Sequence, residues 1–118
     1  MPPEPIETQQ PDSKLESKED FLRQGWFFHV QGDHRQAEKN FRKAISMDAQ
    51  SIEGLYGLGL SLKLQNSGEE AEQVFQQTIE LINSGGMTEH PRRATMLRHL
   101  AVWHIQRIQS GEDQEPKP

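Results

Sequence analysis

KEDFLRQGWFFHVQGDHRQAEKNFRKAISMDAQS, residues 18–51, and IEGLYGLGLSLKLQNSGEEAEQVFQQTIELINSG, residues 52–85, repeat one pattern. Offsetting the chain by 34 residues places Gly25 on Gly59, Phe28 on Leu62, Gly32 on Asn66, Ala37 on Ala71, Phe41 on Phe75 and Ile45 on Ile79. Agreement in residue type at a fixed period marks a repeat architecture, in which each unit buries its apolar face only against its neighbours. Each copy reads as a helix-turn-helix pair of antiparallel helices.

Start and stop signals divide the copies. Ser17-x2-Asp20 offers a cap for the first helix, Asp33-x2-Gln36 and Ser67-x2-Glu70 are capping-box patterns for the second helix of each copy, and Ser51 can cap the third. Gly32, Gly68 and Gly85-Gly86 mark turns or stops. Helices are therefore expected over 18–31, 34–47, 52–65 and 69–83.

A glycine inside a helix costs about 1 kcal/mol of propensity, so its recurrence at Gly25 and Gly59 points to a steric need. Antiparallel helices approach closely only where side chains are small. Gly25 against Ala37, and Gly59 against Ala71, are the expected crossing points, with Phe28, Phe41, Leu62 and Phe75 filling the space beside them.

These residues resemble the tetratricopeptide repeat, whose pattern is W-x2-L-G-x2-Y, then A-x3-F, then P. The second copy reads Leu55-x2-Leu58-Gly59-x2-Leu62, then Ala71-x3-Phe75; the first reads Phe21-x2-Gln24-Gly25-x2-Phe28, then Ala37-x3-Phe41. Departures are Gln24 at a usual leucine position, Thr78 where Ala44 keeps the small residue, and Ala49 and Asn83 in place of the closing proline. The resemblance covers 68 of 118 residues. It implies an all-α right-handed superhelix of antiparallel helix pairs that binds a partner polypeptide.

A fifth helix is expected over 88–108. Thr88-Glu89-His90-Pro91 looks like a helix start, since proline is tolerated in the first turn. At about 100° per residue, Ala94, Leu97, Leu100, Ala101, His104, Ile105 and Ile108 share one side, and Met96 and Trp103 widen it. Two repeats leave an open end that needs cover, and this helix is the natural cap. Its extra apolar width suggests a second interface at Met96, Leu100 and Trp103, where a partner or a second copy could meet it as a homodimer.

The ends read differently. Met1 to Pro11 carries four prolines, and Ser110 to Pro118 carries no aliphatic residue, so residues 1–16 and 110–118 are expected to be disordered tails around a folded domain at 17–109. The chain has no run of apolar residues long enough for a membrane span and no secretory-signal pattern at its start, so a cytoplasmic home is expected. With no cysteine there is no disulfide or thiolate chemistry. The net charge is −5, yet Arg92 to Ile108 holds four arginines and no acid.

The resemblance also implies a groove lined by the first helices of successive repeats. Its positions fall on Leu22, Trp26 and His29 in the first copy and on Tyr56, Leu60 and Lys63 in the second; treating the fifth helix as the next first helix adds His90, Ala94 and Leu97. Apolar and aromatic residues of this kind anchor peptides. A subclass of the family grips a terminal carboxylate with basic and asparagine residues. The matching asparagine positions here hold Trp26 and Gly57, with Glu19 and Glu53 near the same face, so an apolar or basic peptide is the expected guest.

Other chemistries find less support. Arg92, Arg93, Arg98 and Arg107 point in several directions on an acidic chain, which disfavours nucleic acid and favours a solvated face, pairing with the acidic helix before it, or an acidic protein partner. His29 and His34 flank a turn, and His99 and His104 lie about 140° apart around their helix, so no metal site or cofactor is expected. No phosphate loop or nucleophile elbow is present. The reading is an adaptor or chaperone-like binding module, not an enzyme.

Overall fold

Five helices follow one another in the computed structural model, which describes residues 17–87 and 89–111. They are α1 (Lys18–Gln31), α2 (His34–Met47), α3 (Ile52–Lys63), α4 (Gly68–Asn83) and α5 (Pro91–Ser110). The fold is all-α, with no strand among the described residues. Residues 1–16 and 112–118 of the expected tails, and Thr88 at the expected start of the fifth helix, lie outside the described residues. Ser110, assigned to the tail, instead ends α5, and Gly111 caps it at φ 78°.

Most of the expected caps form. At α1 the box is complete: the Asp20 N–H donates to Ser17 Oγ at 3.1 Å, and the Ser17 N–H donates back to the Asp20 carboxylate at 3.2 Å. Asp33 accepts from the Gln36 N–H, and Ser51 from the Gly54 N–H. Ser67 makes no side-chain cap bond, so the box expected at Ser67-x2-Glu70 is absent.

The turns show why the second boundary shifts. Gly32 closes α1 at φ 82°, and its counterpart in the second copy, Asn66, takes the same left-handed region at φ 66°. Asparagine is one of the few residues with a Cβ that tolerates this conformation. The chain therefore turns at 64–66, α3 stops at Lys63, and Gly68 becomes the first residue of α4 instead of a turn residue.

Successive helices run antiparallel. Lys18 at the start of α1 meets Asp48 just past the end of α2 at 2.9 Å. Gln65, after α3, donates to Glu38 near the start of α2 at 2.8 Å. Gln109 at the end of α5 reaches Glu72 near the start of α4, while Arg98 in mid-α5 reaches Asn83 at its end. Beyond these sequential pairs, α1 touches α3 and α3 touches α5. The odd-numbered helices thus form one layer and the even-numbered helices the other.

The core sharpens the expected crossing points. Ala37 and Ala71 are fully buried, but the glycines make room for aromatic rings. A Cβ on Gly25 would lie 2.7 Å from the Phe41 ring, and one on Gly59 would lie 2.6 Å from the Phe75 ring. Gly57 is closer still to Phe41, at 2.4 Å. Phe41 is therefore clasped between α1 and α3, with the Trp26 ring edge-on at 4.9 Å.

This packing predicts that Gly57→Ala destabilises the protein even though alanine is the better helix former by about 1 kcal/mol. Overpacking against the Phe41 ring is expected to cost a net of about 1–3 kcal/mol in urea unfolding. Much of that penalty should vanish in a Phe41→Leu background, because the two residues share one space.

Candidate functional site

The face carried by α1, α3 and α5 is organised by polar contacts between helices. Near the start of α3, the Glu53 carboxylate accepts from Trp26 Nε1 of α1 at 3.1 Å and pairs with Arg93 of α5 at 3.0 Å, both through the same oxygen. One side chain thereby links three helices. The exposed ion pair adds little energy, but it fixes the tilt of the Trp26 indole.

Toward the other end of α3 lies a buried imidazole. His104 of α5 sits with Nε2 at 3.2 Å from the Tyr56 hydroxyl and Nδ1 at 2.6 Å from Lys63 Nζ. An ammonium can only donate, so Nδ1 accepts, Nε2 carries the proton, and the Tyr56 oxygen accepts from it. The ring also stacks on Phe75, with centroids 5.0 Å apart and planes at 10°. Burial pushes the Tyr56 phenol above its ordinary pKa, so it is un-ionised at neutral pH.

Trp103 stands beside this group at the surface. Lys63 Nζ lies 5.2 Å from its ring centre, and the Arg107 guanidinium lies 4.7 Å from it. Both fall within cation–π range. The exposed indole is flanked by two cations, one from each of two helices.

The expected groove residues divide under this geometry. Leu22, Tyr56, Ala94 and Leu97 are core residues with almost no surface for a guest. Trp26 and Leu60 are half-buried and pack on the core, Lys63 is half-buried, and His90 is exposed ahead of α5. The second expected interface is open: Met96, Leu100 and Trp103 are 51%, 37% and 48% exposed. Ala94 and Leu97 turn inward, and the connection at 84–90 is longer than that at 48–51. Glu53 meets Arg93, and Lys63 meets Trp103 and His104, instead of the residues 34 positions further on.

Glu53, Arg93 and His104 were not among the expected site residues. Glu53 and Arg93 looked like ordinary helix-surface charges, and nothing in their spacing announces a contact across three helices. His104 carried a legible signal, since a histidine on an apolar stripe must find hydrogen-bond partners when buried. Of the arginines, Arg92 is exposed and Arg98 reaches Asn83 of α4, as a solvated face or pairing with the preceding helix would have it, whereas Arg93 pairs with α3.

At the far end of α1, His29 and His34 hold their rings 5.9 Å apart, and each Nδ1 is shielded without a hydrogen-bond partner among the described residues. Among the described residues no group of three or more histidines and carboxylates could hold a metal ion. No described helix is long and apolar enough to cross a membrane. The chain matches no protein-family model and no curated protein.

Two measurements check this site. In nitrogen-15 spectra of the imidazole rings, His104 is expected as the Nε2–H tautomer, and Lys63→Met should remove the Nδ1 hydrogen bond. Burial, and then the neighbouring His34, hold the His29 pKa below its ordinary 6.5. Above that value His29 is neutral in both folded and unfolded chains and contributes no pH dependence. Below it the unfolded chain takes up a proton that the folded protein resists, so stability falls with pH until the folded pKa is passed. Thermal melts of His29→Gln should show a shallower acid slope than the parent.

Proposed function

We propose that the chain is a non-catalytic protein-binding module of tetratricopeptide type that docks a partner polypeptide on the face of α1, α3 and α5. The observation that carries the reading is the surface around Leu60 and Lys63, where Met96, Leu100 and Trp103 keep large apolar area that the fold does not consume. Exposed, contiguous apolar groups rimmed by charges are the usual form of a protein contact. The 34-residue period, with Phe41 and Phe75 in equivalent glycine-lined sockets, supports the family reading. An adaptor or chaperone-like role follows from that reading alone.

Compared with the groove first expected, the docking surface is displaced toward α5. Tyr56 and Leu22 act beneath it as scaffold, and Trp26 forms its border, held by Glu53. A second reading, self-association, is favoured by the same exposed residues of α5, which could form an isologous contact between two copies.

A photo-crosslinking benzoylphenylalanine placed at Leu100 or Met96 is expected to capture a partner polypeptide in cells, whereas the same group at Gln73 or Gln76 on the outer side of α4 should not. Equal capture from both faces would reject the docking surface. Sedimentation at low and high micromolar concentration separates the second reading: a monomer at both excludes it, and a dimer that is lost on Trp103→Ala supports it.

A further inference from the structure

Two histidines meet across the turn that joins α1 to α2. His29 stands in the last turn of α1, and His34 is the first residue of α2. Their ring centres lie 5.9 Å apart with planes at 56°, and the Trp26 indole meets the His29 ring edge-on at 5.6 Å. Each Nδ1 is closed off from solvent and has no hydrogen-bond partner among the described residues. A shielded nitrogen without a partner is costly whether or not it carries the proton, and it calls for a ligand that supplies the missing contact. Two such nitrogens on neighbouring rings call for one ligand between them.

The surrounding groups narrow what that ligand is. The Asp33 carboxylate caps α2 by accepting from the Gln36 N–H. Glu38, one turn along α2 from His34, accepts from Gln65 and pairs with Arg42. Among the described residues no third histidine or carboxylate joins the pair in a metal-binding group. Because both nitrogens are closed off from solvent, water does not complete a larger shell. Zinc takes four protein ligands, or three with a water, and magnesium and calcium take oxygen. The cation that suits two imidazole nitrogens and nothing else is monovalent copper, a d10 ion that favours low coordination numbers.

The spacing agrees. With metal–nitrogen bonds of about 2 Å, the centres of two imidazoles stand about 6 Å apart when bound in line and about 5 Å apart at the tetrahedral angle. The 5.9 Å between His29 and His34 fits the in-line arrangement.

We propose that His29 and His34 bind one copper(I) ion between their Nδ1 atoms, a two-coordinate site that fastens the end of α1 to the start of α2. It reverses the sequence expectation of no metal site. The two histidines do not share a helix face; the left-handed Gly32 turns the chain between them, and the rings meet because the helices double back. The site uses none of the exposed strip of α5, so it stands or falls apart from the docking reading.

The test uses the full chain carrying Trp103→Phe, which leaves Trp26 as the lone indole. Copper(I), kept reduced with ascorbate under argon, is titrated in competition with bicinchoninate. One ion per chain is expected to bind and to quench Trp26 fluorescence. Thermal melts should shift upward, because the folded chain brings the two rings together and the unfolded chain does not. His29→Gln and His34→Gln should each weaken binding by at least about a hundredfold, the upper end of what a ligand's outer-shell partners alone contribute. His99→Gln, exposed on α5, should leave it unchanged. Nitrogen-15 spectra of the parent keep the test independent of how the variants fold: copper should move the Nδ1 resonances of His29 and His34 and leave that of His104 in place.

Absence of stoichiometric copper binding, undiminished binding in either glutamine variant, or shifts confined to other histidines overturns the site. Zinc bound as tightly as copper(I), or an X-ray absorption edge of a three- or four-coordinate ion, overturns the two-coordinate assignment.

Discussion

Phe41 and Phe75 have no accessible surface, and each owes its place to a backbone that gives up its side chain. Gly25 and Gly57 approach the first ring from two different helices, and Gly59 approaches the second. A benzene ring so enclosed removes more than any aliphatic side chain from water, and burial on that scale dominates the energy of so small a core. The helix propensity lost at the glycines is modest beside it. Close packing around these rings fixes how far apart the helices stand, and the remaining contacts follow from that spacing.

The two sockets are equivalent on one side and different on the other. Beside Phe41 the next first-layer helix contributes Gly57; beside Phe75 it contributes the imidazole of His104. A ring stacked on a ring fills space that a glycine leaves to its neighbour. The substitution brings a polar group into the core, and a buried polar group without partners is costly. Tyr56 from beneath and Lys63 from the rim provide those partners. Completing the core of the last repeat thus fixes a lysine at the surface.

That coupling explains how a capping helix also carries an exposed apolar strip. Ala94, Leu97, Ala101 and Ile105 close the open end of the repeats, which accounts for the inward face of α5. Met96, Leu100 and Trp103 lie further round the helix and stay exposed. With Lys63 held by His104 and Arg107 one turn along α5, Trp103 becomes an aromatic surface framed by cations. At the other end Glu53 is engaged by Trp26 and Arg93.

The repeat, the helix order and most helix ends are properties of the sequence by itself. A 34-residue period in Gly, Ala and Phe, together with Ser17, Asp33 and Ser51 at helix starts, is local information, written in spacing and in residues that bond their own backbone. Asn66 at the position of Gly32 was legible in the same way, since both residues tolerate the left-handed conformation the turn requires. The register of α5 was not. A shift of a few residues along the chain rotates a helix enough to exchange its inward and outward faces. Only the tertiary structure could decide that Ala94 and Leu97 serve the core and not the groove, that the Phe41 ring is what lies nearest Gly25, and that Glu53, Arg93, Lys63 and His104 meet across helices. Those contacts join residues far apart in the chain, and their geometry is set by the packing of rings against glycines, which spacing along one helix does not encode.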